Sequence, residues 1–86
     1  MLKVIKFKAE WCGPCKQLEK VFQELLPNLQ SVEYLNIDVD QVPQAALDYN
    51  VSALPTVLFI KDGQIVDRSV GVKHKSYYLN TLERLR

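Results

Sequence analysis

Eighty-six residues suffice for one domain with one core, and a composition that is 48% hydrophobic, with Ile, Val, Leu, Phe and Tyr spread along the chain, excludes a disordered polypeptide. The net charge of +1 arises from interspersed signs without a Lys/Arg run, which argues against a nucleic-acid or membrane-surface binder, and no apolar stretch approaches the roughly 18 residues of a spanning helix. The opening MLKVIKFKAEW interleaves lysine with apolar residues and lacks the uninterrupted apolar core of a signal peptide, so a cytoplasmic location is expected, where thiols stay mostly reduced.

In chain order, LKVIKFKA (Leu2 to Ala9) reads as a strand through its Val, Ile and Phe content. From Cys12 to Leu26 the residues Cys15, Leu18, Val21, Phe22, Leu25 and Leu26 recur at helical spacing, and Pro27 is expected to end that helix. VEYLNIDV (Val32 to Val39) reads as a second strand. A short helix follows, with Pro43 suited to its first turn, Ala45, Ala46 and Leu47 inside it, and Asn50 closing it by tolerating a left-handed backbone. TVLFI (Thr56 to Ile60) reads as a buried strand, and Asp62-Gly63 is a two-residue hairpin signal leading into QIVDRSV. A last helix is expected from about Lys75 to Arg86, with Tyr78, Leu82 and Leu85 facing inward. The order β-α-β-α-β-β-α predicts an α/β fold: β-α-β units favour parallel pairs with right-handed crossovers, the hairpin adds an antiparallel pair, and a four-stranded mixed sheet with helices packed on it results, in a single domain spanning residues 1–86.

Both cysteines fall in EWCGPCK, with Cys12 at the expected start of the first helix. A helix N-terminus offers unpaired N–H groups and a partial positive charge, which favour a thiolate and lower a cysteine pKa below its usual value near 8.5. Cys12 is expected to be exposed at the helix tip, with Cys15 one turn further in and more shielded. Gly13 permits a tight turn and Pro14 fits the first helical turn. This pattern gives one attacking and one resolving sulfur. Three other readings compete. A structural disulfide across so short a loop is the weakest kind of staple. A zinc site needs about four ligands, and the chain offers no further cysteine and one histidine, His74, far along the sequence, so no metal is expected and His74 is assigned no role. Two inert core cysteines would not need Gly-Pro between them or a tryptophan beside them. C-x-x-C beside a β-α-β pattern is the signature of redox exchange.

AEWCGPCK resembles the active-site motif of the thioredoxin family. LNIDVDQVP is similar to the family's next strand and turn, YNVSALPTVLFIKDG to the segment that carries the family's cis-proline, and Val70-Gly71 to the glycine before the last helix, so the resemblance covers essentially the whole chain. It implies a thioredoxin fold, a Cys12–Cys15 disulfide in the oxidised form, and a cis bond at Pro55. It also implies a peptide-docking surface around Cys12 made by Trp11, Leu54, Pro55 and Gly71; a tryptophan at position 11 could belong to the core, but flanking the helix tip it is expected to cover the site and shield it from water. The implied activity is protein-disulfide reduction, recycled by an NADPH-dependent flavoprotein reductase. No G-x-G-x-x-G motif occurs, so the chain itself is expected to carry no cofactor, and a monomer is expected.

Two departures stand out. Members of that family generally begin with a further strand and helix, whereas the active-site strand here starts at Leu2, so one sheet edge and the cover of one face are expected to be missing. The family usually buries an aspartate six residues before the first cysteine, with a lysine partner on the next strand; those positions are Lys6 and Tyr34 here. Lys6 and Lys8 share one strand face, as do Tyr34 and Asn36. If these faces coincide, Lys6 is expected to lie on a partly open face, snorkel its ammonium to water, and favour thiolates if it lies near the sulfurs. Two alternative functions remain open: a glutaredoxin-like enzyme recycled by glutathione, and a binding subunit that uses the same surface without redox turnover.

Overall fold

The computed structural model describes residues 1–86. Strands β1 (Leu2–Lys8), β2 (Glu33–Asp38), β3 (Thr56–Lys61) and β4 (Gln64–Val70) form one mixed sheet in the order β2-β1-β3-β4. Helices α1 (Gly13–Leu25), α2 (Pro43–Asp48) and α3 (Lys75–Leu85) complete the predicted order. β1 and β2 are parallel, while β1–β3 and β3–β4 are antiparallel. The second β-α-β unit therefore does not give the parallel pair expected of it. Its helix has six residues and rises about 9 Å, short of the roughly 20 Å that a six-residue strand covers, so β3 starts near the end where β2 finishes and runs back along the far side of β1.

The elements end where local chemistry says they should, with one shift. Pro27 does not stop the helical backbone abruptly; α1 ends at Leu25 and a 3-10 turn over Leu26–Leu29 absorbs the proline. Asn50 has φ 56°, and Asp62 and Gly63 have φ 53° and 84°, the pair of positive values that a two-residue hairpin turn requires. β4 carries an irregularity: Phe59 pairs with Asp67 but Ile60 pairs with Ile65, leaving Val66 as an extra residue.

Strand alternation sorts the core into two layers. Leu2, Val4, Val57 and Phe59 face Leu18, Phe22 and Leu25 of α1 and Tyr78, Leu82 and Leu85 of α3. Ile5, Phe7, Leu58 and Ile60 face the opposite way, toward Ala45, Tyr49, Val51 and Leu54. Lys6 lies on the first face, paired in register with Asn36, and here the expectation of an open face is overturned. Both α1 and α3 cover that face, so Lys6 is 1% exposed and reaches no open water. α1 brings Glu19 to it as an ion-pair partner and sets the Phe22 ring 5.0 Å beneath the ammonium, replacing part of the hydration that burial removes. The thinner cover is on the other face, where Leu35 and Ile65 remain exposed.

Phe22 stacks on Tyr34 at 5.5 Å and meets Tyr78 at 5.2 Å, so it joins α1 to β2 and α3. Phe22→Ala should lower unfolding free energy by about 3–5 kcal/mol, read as a fall in the urea midpoint, while Leu47→Ala on the outer side of α2 should change it by no more than about 0.5 kcal/mol.

Candidate functional site

The site forms where β1 hands the chain to α1. Cys12 N–H donates to Ala9 O at 3.1 Å, which closes the turn, and Cys12 then occupies the N-cap of α1 with φ −90° and ψ 107°. Pro14 sits in the first turn, where its missing N–H leaves no partner wanting. Cys15 N–H donates to Cys12 Sγ at 3.2 Å. Cys12 and Cys15 are joined by a disulfide with Cα atoms 5.2 Å apart. The N–H that caps the sulfur in the disulfide is placed to stabilise a Cys12 thiolate once the bond is reduced.

Cys12 is not exposed at the helix tip in this oxidised state. Both cysteines are 4% exposed, because the disulfide draws Cys12 back against Cys15 and the pair packs with Ala9, Val39 and Leu54. The Leu54–Pro55 peptide is cis. Thr56 Oγ1 donates to Ala53 O at 2.6 Å, and Gly71 N–H donates to Pro55 O at 2.9 Å, so the Gly71 turn is fastened to the proline loop. Gly71 has φ 88°, a backbone that a larger residue adopts only with strain.

Trp11 does not lie in the core. The residue is 71% exposed, and its Nε1–H donates to Asp40 Oδ2 at 2.8 Å, which holds the ring as a wall. That wall borders a groove of about 210 Å3 whose other sides include Val39, Ala46, Val51, Ala53 and Leu54. Asp40 is itself placed by a turn in which its N–H donates to Asp38 Oδ1 at 2.9 Å. Asp40 was not legible as a site residue: within LNIDVDQVP it looks like any other turn acid.

A second cavity, about 350 Å3, opens on the other side of the cysteines and is lined by Lys8, Ala9, Glu10, Cys15, Lys16, Glu19, Lys20 and Asn36. Glu19 lines it and Lys6 does not. The lysine expected to face the sulfurs lies behind a carboxylate that the sequence reading missed, although its spacing of four from Cys15 puts both on one face of α1. The hydrogen bond from Lys6 holds the Glu19 carboxyl below its ordinary value, against the opposing effect of burial. Burial, with a smaller push from the Glu19 charge, raises the Tyr34 phenol well above its usual range. His74 lies away from the cysteines, capping α3 by accepting from Ser76 N–H at 3.1 Å. No three His, Cys, Asp or Glu side chains stand together as a metal cluster.

The family model described as Thioredoxin matches residues 1–84. A thioredoxin of Chlamydia trachomatis serovar D is 43% identical over 83 residues, covering 96% of this chain and 81% of the relative. Thioredoxin H-type 2 of Nicotiana tabacum is 44% identical over 72 residues, covering 84% of this chain and 61% of the relative. The X-ray structure of Fasciola hepatica thioredoxin superposes with a TM-score of 0.89 at 40% identity, covering 99% of this chain and 81% of that one.

The Lys6–Glu19 pair has a pH signature. Glu19 has a folded pKa below its reference of 4.5, so the pair stabilises the fold above that reference, and the contribution is lost as pH falls through the folded value. Asp62, held low by the N-terminal amine, acts in the same direction and is common to parent and variant. The difference in urea midpoint between the parent and Glu19→Gln should therefore be largest near neutral pH and shrink as the pH is lowered from about 5 to 3.

Proposed function

The chain belongs to the thioredoxin family and is a thiol–disulfide oxidoreductase, and on that premise we propose that it reduces disulfides of partner proteins, with Cys12 attacking and Cys15 resolving. The observation that carries this reading is the Cys12–Cys15 pair at the first turn of α1, with the Cys15 N–H already aimed at Cys12 Sγ. In the reduced protein Cys12 is the sulfur at the helix N-terminus, so its thiolate is the better stabilised of the two and the better placed to meet a partner.

The exchange balances in two steps. Cys12 thiolate attacks one sulfur of the partner's disulfide, forming a mixed disulfide and releasing the other sulfur as a thiolate. Cys15, deprotonated, attacks Cys12 Sγ; the bond to the partner breaks, the partner leaves with both sulfurs reduced, and Cys12–Cys15 is left oxidised. Two electrons have passed to the partner.

Docking falls to the surface beside the pair. Trp11 and Leu54 border the apolar groove, Pro55 presents its loop next to the disulfide, and Gly71 is fastened to that loop by its hydrogen bond. An extended peptide segment carrying the target cysteine suits this surface, because a groove of about 210 Å3 accepts a side chain and not a globular domain. Gly13 and Pro14 support the pair by shaping the first turn of α1. A reductase must return the dithiol, since the cycle leaves the chain oxidised. An NADPH-dependent flavoprotein is the proposed donor, in the cytoplasm, acting on a monomer that carries no cofactor of its own. No helix is long and apolar enough to cross a membrane.

Insulin reduction tests donor and activity together. Turnover with thioredoxin reductase and NADPH, exceeding turnover with glutathione, is expected; the reverse would make glutathione the donor. Cys12→Ser should abolish exchange. Cys15→Ser should still attack but not release, so partner-linked species accumulate on non-reducing gels. Trapping by Cys12→Ser instead would reverse the order of attack, and a double serine variant with full biological activity would show that the surface binds without turnover.

A further inference from the structure

We propose that Glu19 receives the proton that Cys15 must lose before it resolves the mixed disulfide, through the water-accessible cavity that the two side chains share. This deepens the reading above and rests on it. Resolution needs a Cys15 thiolate, yet Cys15 lies within the protein at 4% exposure and burial in apolar surroundings disfavours the charged form. A proton acceptor close to the sulfur is therefore of use at that step.

The cavity supplies one. Cys15 and Glu19 stand one helical turn apart on α1, where side chains four apart have Cβ atoms about 5–6 Å from each other. Both line the same space of about 350 Å3, and since one water occupies about 30 Å3 in the liquid, there is room for water between sulfur and carboxylate. The Glu19 side chain is 42% exposed, so a proton taken up there has a path to solvent. Two hydrogen bonds hold it in place, one from the Lys6 ammonium and one from Gln23 Nε2 at 3.3 Å. Lys6 is the charge partner of this carboxylate. It is 1% exposed, lies behind the carboxylate and does not line the cavity.

The step balances simply. The Cys15 S–H proton passes by way of water to a Glu19 carboxylate oxygen and on to solvent. The Cys15 thiolate bonds to Cys12 Sγ, the Cys12–partner S–S bond breaks, and the departing partner thiolate takes a proton from solvent. The electrons move as in the uncatalysed exchange; Glu19 changes only where the proton goes.

The charged groups around the pair set its pH behaviour. From β1 come Lys6 and Lys8, from the following turn Glu10, from α1 itself Lys16 and Lys20, and from β2 the phenol of Tyr34, which stays neutral. Their effects on a thiol are electrostatic, and this gives the test opposite signs for opposite roles. A carboxylate that acts only by its charge disfavours the thiolate, so removing it would speed resolution. A carboxylate that takes the proton speeds resolution, so removing it slows the step.

The experiment is single-turnover reduction of a peptide disulfide in large excess, so that attack outruns resolution, with acid quenching and mass spectrometry to count mixed disulfide and released product from pH 6 to 9. Glu19→Gln should form mixed disulfide at the parent's rate but resolve it about a hundredfold more slowly at pH 7, the low end of what positioned bases contribute. Its resolution rate should climb with pH toward the parent's as hydroxide takes over. Lys6→Met keeps the carboxylate and should resolve no more slowly than the parent. The double variant Lys6→Met, Glu19→Gln has no unpaired buried ammonium and should be as slow as Glu19→Gln. Resolution by Glu19→Gln at or above the parent's rate would overturn the inference, as would a slow Lys6→Met or a fast double variant. Failure of the parent and of Cys15→Ser to form any mixed disulfide would instead overturn the order of attack on which the inference rests.

Discussion

The seating of α1 across the sheet is the constraint on which the rest of the molecule depends, and Phe22 is its centre. One ring touches Tyr34 of β2 and Tyr78 of α3, and lies under the Lys6 ammonium of β1. With that ring fixed, the helix can be displaced neither along its axis nor about it without opening the larger core layer. The position of its first turn follows, and with it the place where two sulfurs meet the end of β1 and the proline loop. A redox pair on the tip of a mobile helix would meet its partners in many geometries; here packing seven to ten residues down the helix fixes one.

Much of this was legible in the amino-acid order because it rests on short-range rules. The helical spacing of Leu18, Phe22 and Leu25, the Asp62-Gly63 turn and the left-handed Asn50 are local consequences of side-chain shape, and each element formed within a residue or two of its expected bounds. The site pair was legible for the same reason: Cys12, Gly13, Pro14 and Cys15 specify a helix start by themselves. What was not legible depends on contacts distant in sequence. Nothing in a strand reading says that β3 will run against β1, since that follows from the length of a helix that came before it. Nothing in LKVIKFKA says that Lys6 will be sealed under α1, because the partner that makes its burial tolerable stands thirteen residues on. The pose of Trp11 was not legible for the same reason, as its indole N–H is held by Asp40, twenty-nine residues later.

Lys6 and Glu19 also illustrate how a buried charge is accommodated when the usual signs are exchanged. A lysine alone at 1% exposure would be neutralised or would disrupt the core; a carboxylate from the covering helix and an aromatic face below it make the ammonium tolerable. The arrangement places the negative end of the pair nearer the cavity and the positive end nearer the core. Of the two, it is the carboxylate and not the ammonium that lines the cavity beside Cys15, and the strand sequence by itself does not show this.

The extra residue in β4 bears on how this small domain behaves in crowded solution. β4 is an edge of the sheet, and a straight edge is a template on which another chain can add a strand. Val66 breaks that template midway: on either side of it the backbone groups are spaced for different registers, so an incoming strand that matches Asp67 to Val70 is out of step at Gln64 and Ile65. Growth of a sheet from one molecule to the next is thereby confined to short runs of hydrogen bonds. A fold this small has few atoms with which to guard its margins, and one misfitting valine gives this edge some of that protection.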